Sequence, residues 1–212
     1  MSIPQKIWIY HIVHMDRLPS IIADNALLCD AEVAKKQRPG TCIGLSNIKQ
    51  RRLNELTLTS HPDLHVGDCV PFYFCPRSVM LYLIHKKNPE LIYQGGQEPI
   101  VHLVADVHDA IAWAQKNKHR WAFTTSNSGS YYFDDYADLR QLDTIDWNAV
   151  AATSWGACKE AKQAEFLLEQ HFPWSLIRGI GVYSERIAQK AAVALEKAAS
   201  KPDLKVMPQW YY

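Results

Sequence analysis

The sequence predicts an α+β fold, with one sheet of six or seven short strands and helices beside it. Strand and helix patterns are mixed irregularly along the 212 residues, whereas a parallel α/β domain repeats them in regular succession. The chain carries no G-x-G-x-x-G, the glycine pattern typical of a Rossmann dinucleotide-binding domain. No linker composition divides the chain, so residues 1–212 are expected to form a single domain.

Strand patterns are recognised by β-branched and aromatic residues between turn signals. The second of them, "GDCVPFYFC", contains Pro71, which predicts an edge strand or a bulge because proline cannot donate to a ladder. The third, "PIVHLVADV", is almost wholly apolar and is expected to be buried. The predicted strands cover residues 7–13, 67–75, 99–107, 121–125, 164–169, 177–184 and 203–212.

Helix patterns are strongest near the two ends of the chain. "RLPSIIADNALLCD" predicts a helix of about ten residues ending near Asn25. "ERIAQKAAVALEKAAS" is rich in alanine and predicts a helix with Ser184 as its N-cap. A helix is also expected over 108–118, a polar loop running into a helix over 126–142, and either helix or strand over 78–87. Residues 31–65 are polar and irregular, and so long a loop is often functional.

Composition excludes several classes of protein. Apolar residues make up 48% of the chain and charged residues 21%, an ordinary globular balance, and the net charge is only +1. No run of 18 apolar residues and no signal-peptide pattern is present, so we expect a cytoplasmic protein without a membrane span. The five cysteines are scattered without a C-x-x-C pair, which signals neither a disulfide framework nor a zinc site.

Short basic groups are spread along the chain. Each group taken singly is most simply a solvated turn, but several of them on one face could follow a phosphate backbone. The groups lie at residues 35–38, 49–52, 85–87 and 116–120.

Glu165 stands directly in front of the apolar run Phe166–Leu168. A strand beginning at Ala164 would bury either Glu165 and Leu167 or Phe166 and Leu168, because successive side chains alternate between the two faces. Glu165 therefore either points to solvent from an edge, as isolated carboxylates usually do, or points into a pocket and takes part in chemistry.

Other polar groups also interrupt apolar runs. They include His11 within the first strand, the arginines of "IKQRR" at 48–52, and the residues of "VPFYFCPRSVMLY" at 70–82. The paired glycines of "GGQEPIVHLV" at 95–104 permit a close backbone approach. A hydrogen-bonded core histidine and ordinary core packing of Tyr73 and Met80 are the simpler interpretations of these residues.

The sequence resembles the DarT-type DNA ADP-ribosyltransferase toxins of bacterial toxin–antitoxin systems. The resemblance covers most of the chain and preserves the order and spacing of the family's motifs. It is carried by "IYHI" (9–12), "IKQRR" (48–52), "VPFYFCPRSVMLY" (70–82), "GGQEPIVHLV" (95–104) and "QAEFLLEQHFPW" (163–174).

The resemblance implies an ADP-ribosyltransferase fold, which is a split mixed sheet with flanking helices and NAD bound in a cleft. It implies transfer of ADP-ribose from NAD to a base in single-stranded DNA, release of nicotinamide, and no metal. A macrodomain antitoxin that removes the modification is the implied partner, and the enzyme is expected to be a monomer. Two alternatives stay open: an ADP-ribosyltransferase acting on protein or RNA, and a non-catalytic nucleic-acid-binding module.

The chemistry implied by the resemblance assigns roles to individual residues. Breaking the nicotinamide–ribose bond develops oxocarbenium character, which a carboxylate can stabilise, and Glu165 is the expected catalytic residue. Arg51 matches the family's catalytic arginine, and a one-residue shift in alignment would exchange it with Arg52, which is otherwise assigned to NAD. His11 is expected to hydrogen-bond a ribose hydroxyl.

The remaining residues are assigned to NAD and to DNA. Tyr73 and Met80 are expected to line the nicotinamide site, Arg77 to hold a phosphate, and Tyr131 and Tyr132 to stack on bases. In thymidine-modifying relatives two residues separate the "FT" of a strand from a histidine near the acceptor, whereas "FTTSNS" places Asn127 at that position. Because asparagine does not titrate, the contacts to the base should differ, and thymine and guanine both stay open as the modified base.

Overall fold

The computed structural model describes residues 2–212, and helices and strands are mixed irregularly along this part of the chain. The strands are β1 (Trp8–His14), β2 (Ala26–Leu28), β3 (Cys69–Tyr73), β4 (Ile100–Asp106), β5 (Trp121–Thr124), β6 (Asp135–Tyr136), β7 (Glu165–Glu169), β8 (His171–Pro173), β9 (Gly179–Val182) and β10 (Asp203–Val206). The α-helices are α1 (Leu18–Asp24), α2 (Asp30–Lys36), α3 (Ser46–Asn54), α4 (Val79–His85), α5 (Val107–Asn117), α6 (Trp147–Ala151) and α7 (Glu185–Leu195).

Eight of these strands form one mixed sheet in the order β10-β9-β4-β1-β3-β7-β5-β6, and β2 pairs with β8 in a separate ribbon. All pairs in the large sheet are antiparallel except β9 with β10. The α+β class predicted from the sequence is confirmed. Each of the seven predicted strand segments contains one strand. The strands that the sequence patterns missed, β2, β6 and β8, have only two or three residues, too few to show a pattern.

The large sheet is split between β1 and β3. On its other side β1 pairs with β4 along its whole length, from Trp8 to His14, but it meets β3 only where Tyr10 lies opposite Tyr73. Five register pairs then join β3 to β7, so the second half of the sheet is continuous again. The gap between β1 and β3 opens a cleft across the middle of the sheet.

Pro71 lies in this gap. The prediction of an edge strand was wrong, because β3 lies in the interior of the sheet between β1 and β7. The carbonyl of Pro71 nevertheless points toward β1, where it accepts a hydrogen bond from Nδ1 of His11 at 2.6 Å instead of from a strand backbone. The missing N–H of the proline points to the same side, since both groups of a strand residue face one neighbour. The proline therefore marks a local edge inside the sheet.

Residues 31–65 are more helical than the sequence predicted. They include most of α2 and all of α3, and no residue of either helix is fully buried. A helix that is polar on every side lacks the apolar stripe by which helices are recognised, so these two looked like loop. Residues 78–87, which fitted helix or strand, contain α4, capped by the Ser78 hydroxyl accepting from the Leu81 amide at 3.2 Å.

Helix ends were predicted more closely. The first helix ends at Asp24, followed by Asn25 in the left-handed conformation that ends many helices. Ser184 occupies the N-cap position of α7 as expected, but its hydroxyl bonds to Glu98 at 3.2 Å instead of capping the helix.

The core covers both faces of β7. Phe166 and Leu168 belong to the main apolar cluster, and Leu167 packs into a second cluster with Leu56 and Leu58 on the opposite face. Alternation predicted that either Glu165 and Leu167 or Phe166 and Leu168 would be buried. In the structure all four side chains are buried. Glu165 shares the face of Leu167 and is only 2% exposed. Its carboxylate is therefore not on a solvated edge.

Asp135, the first residue of β6, connects this strand to residues Thr59 and Ser60 by hydrogen bonds. Its buried carboxylate accepts hydrogen bonds from the amides of Thr59 at 2.7 Å and Ser60 at 2.9 Å, and from both of their hydroxyls. Burial raises the pKa of Asp135, but these hydrogen bonds outweigh it, and the net pKa is below the ordinary value. Since the folded pKa is depressed, this stabilisation is present above about pH 4 and is lost as pH falls through the folded pKa.

We therefore expect Asp135→Ala to lower the free energy of unfolding by about 2–4 kcal/mol at pH 7, because two backbone amides and two hydroxyls lose a charged acceptor. Urea denaturation of this variant and of Asp134→Ala, its exposed neighbour, measures the difference. The deficit of Asp135→Ala relative to wild type should shrink below about pH 4. Equal losses in the two variants would show that the Asp135 hydrogen bonds do not stabilise the fold.

Candidate active site

The gap in the sheet opens into a cavity of about 480 Å³, within the range of volumes that hold small-molecule ligands and cofactors. Its walls come from β1, the end of β3, the first turns of α4, and α3 across the gap. It is also lined by α1, β2, α2, residues 38–45, the loop after β5 and the segment preceding β7. Six residues predicted from the sequence line it: His11, Arg52, Tyr73, Met80, Asn127 and Glu165.

Glu165 is held at the cavity wall by polar contacts on three sides. Its amide donates to the Thr124 hydroxyl at 3.1 Å. Its Oε2 accepts from the Ser128 amide at 3.3 Å and from the Ser128 hydroxyl. Its Oε1 lies 3.5 Å from Nη1 of Arg52. One carboxylate oxygen is thus fixed by protein donors, and the other faces a cation at the cavity.

Ser128 was not found by sequence reasoning. It lies in a polar loop, where a serine is ordinarily exposed, yet it is fully buried against Glu165. The only sequence signal was its position directly after Asn127, and that position did not indicate the direction of its hydroxyl.

The structure distinguishes the two adjacent arginines, whose roles an alignment shift of one residue would exchange. Arg52 lines the cavity with only 11% of its side chain exposed, and its Nε is buried without a hydrogen-bond partner among residues 2–212. Arg51 does not line the cavity. Its Nη2 donates to the Gly129 carbonyl, and its guanidinium lies 4.4 Å from the centre of the Tyr131 ring. Adjacent residues on a helix point about 100° apart, so only one of the two can face Glu165.

His11 presents an acceptor to the cavity. A carbonyl can only accept, so the contact with Pro71 places the proton of the neutral imidazole on Nδ1 and leaves a lone pair on Nε2. Burial lowers the pKa of His11 to about 4, more than the hydrogen bond to Pro71 raises it. The ring is therefore neutral near pH 7, and Nε2 can accept a hydrogen bond from a ligand hydroxyl.

Tyr73 and Met80 form a partly apolar wall. Tyr73 ends β3 and lies opposite Glu165 on β7. Burial, and next the charge of Glu165, raise the pKa of Tyr73 well above its ordinary value, so its phenol stays protonated. Met80 projects from the first turn of α4 beside Leu83, which also lines the cavity. Both predicted residues thus line the cavity, and both also pack against an apolar cluster of the core.

Asn127 is held in one orientation by its neighbours. Its Oδ1 accepts from the Gly129 amide at 2.8 Å, and its Nδ2 donates to Oε1 of Gln163 at 3.3 Å. Gln163 in turn donates to the Lys159 carbonyl at 3.1 Å. The side-chain amide of Asn127 therefore offers a fixed donor and a fixed acceptor at the cavity.

The other predicted DNA-binding residues lie outside the cavity. Tyr131 is 66% exposed and Tyr132 is 94% exposed, so Tyr132 does not pack onto the domain and Tyr131 does so only through Arg51. Arg77, expected to hold a phosphate, does not line the cavity. Its guanidinium lies 4.4 Å from the centre of the Tyr212 ring.

Metal and membrane features are not found within residues 2–212. This part of the chain contains no group of three or more histidine, cysteine, aspartate or glutamate side chains arranged to hold a metal ion. None of its helices has the length and apolar character needed to cross a membrane.

The chain is similar to one family over nearly its whole length. The family model described as "DarT: ssDNA thymidine ADP-ribosyltransferase" matches residues 10–212. A DNA ADP-ribosyl transferase of Thermus sp. (strain 2.9) is 37% identical over 214 residues, which cover 99% of this chain and 98% of the relative. A DNA ADP-ribosyl transferase of Escherichia coli O127:H6 is 32% identical, covering 99% of this chain and 95% of the relative.

Solved structures show the same likeness. The structure of Thermus sp. 2.9 DarT in complex with ADP-ribosylated ssDNA superposes with a TM-score of 0.88 at 35% identity, covering 100% of this chain and 99% of that one. The structure of the same protein in complex with NAD+ has a TM-score of 0.83 at 34% identity and covers 100% of both chains.

Proposed function

Since this chain belongs to the DarT family of single-stranded-DNA ADP-ribosyltransferases, we propose that it transfers ADP-ribose from NAD to a base in single-stranded DNA and releases nicotinamide. The observation that carries the proposal is the burial of Glu165 at a cavity in the split of the sheet. A non-catalytic binding module would leave this carboxylate exposed, and at 2% exposure it is not. Ser128 and Arg52 offset the cost of burying this carboxylate, and its position at the cavity allows it to stabilise a transition state there.

Glu165 is the proposed catalytic residue. When the bond between nicotinamide and ribose breaks, its electron pair leaves with nicotinamide and positive charge develops on the ribose. Oε1 of Glu165, the oxygen not held by Ser128, is free to hydrogen-bond a ribose hydroxyl and to stabilise that charge. The attacking base forms the new bond to the ribose carbon and loses a proton, which we assign to the same carboxylate.

Arg52 is the proposed partner of Glu165. The resemblance of "IKQRR" to the family's motif gave the role of catalytic arginine to Arg51. The guanidinium of Arg52 lies beside the carboxylate and lines the cavity, where it can hold an anionic group of NAD. His11 is proposed to accept a hydrogen bond from a ribose hydroxyl through Nε2. Tyr73 and Met80 are proposed to contact the nicotinamide ring.

Arg51, Tyr131 and Tyr132 are proposed to serve the DNA. Tyr131 and Tyr132 expose aromatic rings beside the cavity, and Arg51 holds the Tyr131 ring in place. Bases of a single strand stack on such rings with little regard to sequence. A base must be unstacked to be modified, and single strands present it at the least cost.

Thymine is the proposed target base, because the matching family is described by its action on thymidine. Asn127 is the proposed selector, since its fixed donor and acceptor can pair with one edge of a base. Stacking alone would discriminate poorly between thymine and guanine, because every base has a face that can stack.

The experiment uses single-stranded oligonucleotides of adenine and cytosine that contain one thymine or one guanine, incubated with NAD and read by mass spectrometry. We expect added ADP-ribose on the thymine strand, and less on the same strand annealed to its complement. We also expect Asn127→Ala to lower the ratio of thymine to guanine modification by about tenfold, since one good hydrogen-bonded base contact is worth about 1–3 kcal/mol. Modification of guanine alone would overturn the choice of base, and an unchanged ratio would overturn the role of Asn127.

We also propose an oligomeric state, a cellular location and a partner for this protein. We propose that the chain acts as a monomeric single domain, because one sheet draws its strands from residues 8 to 206. The five cysteines are unpaired, which fits the reducing cytoplasm where bacterial DNA lies. A macrodomain antitoxin that removes the ADP-ribose is the proposed partner, as the family resemblance implies.

A further inference from the structure

Pro71 lies in β3 two residues before Tyr73, the only residue of β3 that pairs with β1 among residues 2–212. On the other side of β3, Pro71 lies opposite Leu167 in an uninterrupted ladder with β7. Proline is uncommon in a strand that has a neighbour on each side, because it cannot donate to a ladder. Its place in the interior of this sheet therefore calls for an explanation from the gap beside it.

The direction of the backbone groups of Pro71 follows from the ladder between β3 and β7. The amide of Glu169 in β7 donates to the carbonyl of Arg120, directly before β5, at 3.0 Å. Leu167 faces the same way as Glu169, because alternate residues of a strand turn their backbone groups to the same neighbour. Pro71, opposite Leu167, therefore turns its nitrogen and its carbonyl away from β7 and toward β1.

Ile12 is the residue of β1 that an extended ladder would place opposite Pro71. Tyr73 faces β1 as Pro71 does, and it lies opposite Tyr10 there. Because the two strands are antiparallel, two further steps along β1 and two steps back along β3 bring Ile12 and Pro71 together. An ordinary residue at position 71 would exchange two backbone hydrogen bonds with Ile12, whereas proline has no N–H for one of them.

His11 uses the carbonyl that a continued ladder would occupy. The Pro71 carbonyl accepts from Nδ1 of His11 at 2.6 Å, and the rings of His11 and Phe72 lie 5.3 Å apart between centres. Paired strands lie only about 4.7–4.9 Å apart, which leaves no room for an imidazole between them. Pairing of Ile12 with position 71 and the contact of His11 with the Pro71 carbonyl therefore exclude each other.

We propose that Pro71 is a positioning residue, which holds the gap between β1 and β3 open and fixes His11 for NAD. The inference rests on the proposed function, in which His11 accepts a hydrogen bond from a ribose hydroxyl. Without an N–H at position 71, the ladder stops where Tyr10 meets Tyr73, and the Pro71 carbonyl stays available to Nδ1 of His11. Nε2 of His11 then keeps its lone pair for the ligand.

Pro71→Ala supplies the missing N–H and keeps a small side chain. In the free variant we expect the Ile12 amide to exchange its hydrogen about tenfold more slowly than in wild type, because it enters a ladder. The nitrogen chemical shifts of His11 should no longer show a single form protonated on Nδ1. We expect KM for NAD to rise about tenfold while kcat changes less than about threefold, because a contact that serves binding is lost.

Pro62→Ala is the matched control, because Pro62 is exposed and does not line the cavity. It removes only the restriction that a proline places on the unfolded chain. Pro71→Ala should unfold thermally at a temperature no lower than that of this control, since it gains a ladder pair. A lower unfolding temperature together with an Ile12 amide that exchanges as fast as in wild type would overturn the proposal.

An unchanged KM for NAD in Pro71→Ala would overturn the proposal as well. If wild type neither binds NAD nor releases nicotinamide, the proposed function fails. The exchange of the Ile12 amide and the tautomer of His11 are measured without NAD, so they still decide whether Pro71 holds the gap open.

Discussion

Glu165→Gln is expected to fold normally and to transfer ADP-ribose about 10² to 10³ times more slowly than wild type. Loss of one buried transition-state contact of this kind costs about 3–4 kcal/mol. Glutamine keeps the size of the side chain and can still accept from Ser128, so the change removes the negative charge and little else. The initial rate of nicotinamide release in the presence of single-stranded DNA measures the effect.

The chain offers two matched controls for this variant. Glu169 lies at the other end of the same strand and pairs with Arg120 at 2.7 Å, away from the cavity. Glu160 lies at the cavity, but it is exposed. Glu169→Gln and Glu160→Gln are each expected to keep the rate within about tenfold of wild type, since neither carboxylate is buried at the reacting bond. A wild-type rate from Glu165→Gln would remove Glu165 from the chemistry.

Arg52→Ala is expected to lower the transfer rate by about 10²-fold, and Arg51→Ala by about tenfold or less. The first variant leaves the buried Glu165 without its nearby cation and takes a donor from the cavity. The second loses contacts to Gly129 and Tyr131 on the loop outside the cavity. It should therefore act mainly through KM for DNA, whereas Arg52→Ala should act on kcat.

Steady-state kinetics with DNA and NAD varied in turn separates these effects. Arg52→Lys serves as a control, since it keeps the charge but loses the planar guanidinium, and it should recover only part of the activity. If Arg51→Ala were the more damaging variant and acted on kcat, the arginine facing Glu165 in the reacting enzyme would be Arg51.

The strands that line the cavity were predictable because their composition is typical of β-strands. The segments around β1, β4 and β7 are β-branched, aromatic or wholly apolar, and each is long enough to show it. The helices α2 and α3 were not predictable, since neither buries an apolar stripe and both are held by neighbouring elements. Local sequence therefore indicated the sheet and missed the helix that forms one wall of the cavity.

The direction of side chains was harder to predict than the position of elements. Alternation along a strand allowed Glu165 to be buried or exposed, and only the cover on both faces of β7 decides between the two. On α3 the choice between Arg51 and Arg52 depends on how the helix is rotated about its axis. A helix with polar residues all round gives no indication of that rotation. The burial of Ser128 was likewise not predictable, because it depends on where the loop that carries this residue crosses β7.

The central claim is that Glu165, buried in the split of the sheet, drives transfer of ADP-ribose to single-stranded DNA. The most direct measurement incubates wild type and Glu165→Gln with NAD and a thymine-containing single strand, and follows nicotinamide and the mass of the DNA together. We expect wild type to release nicotinamide and add ADP-ribose to the DNA in equal amounts, and Glu165→Gln to do both about 10² to 10³ times more slowly. Nicotinamide release by wild type with no ADP-ribose on the DNA, or equal activity in the two proteins, would contradict it.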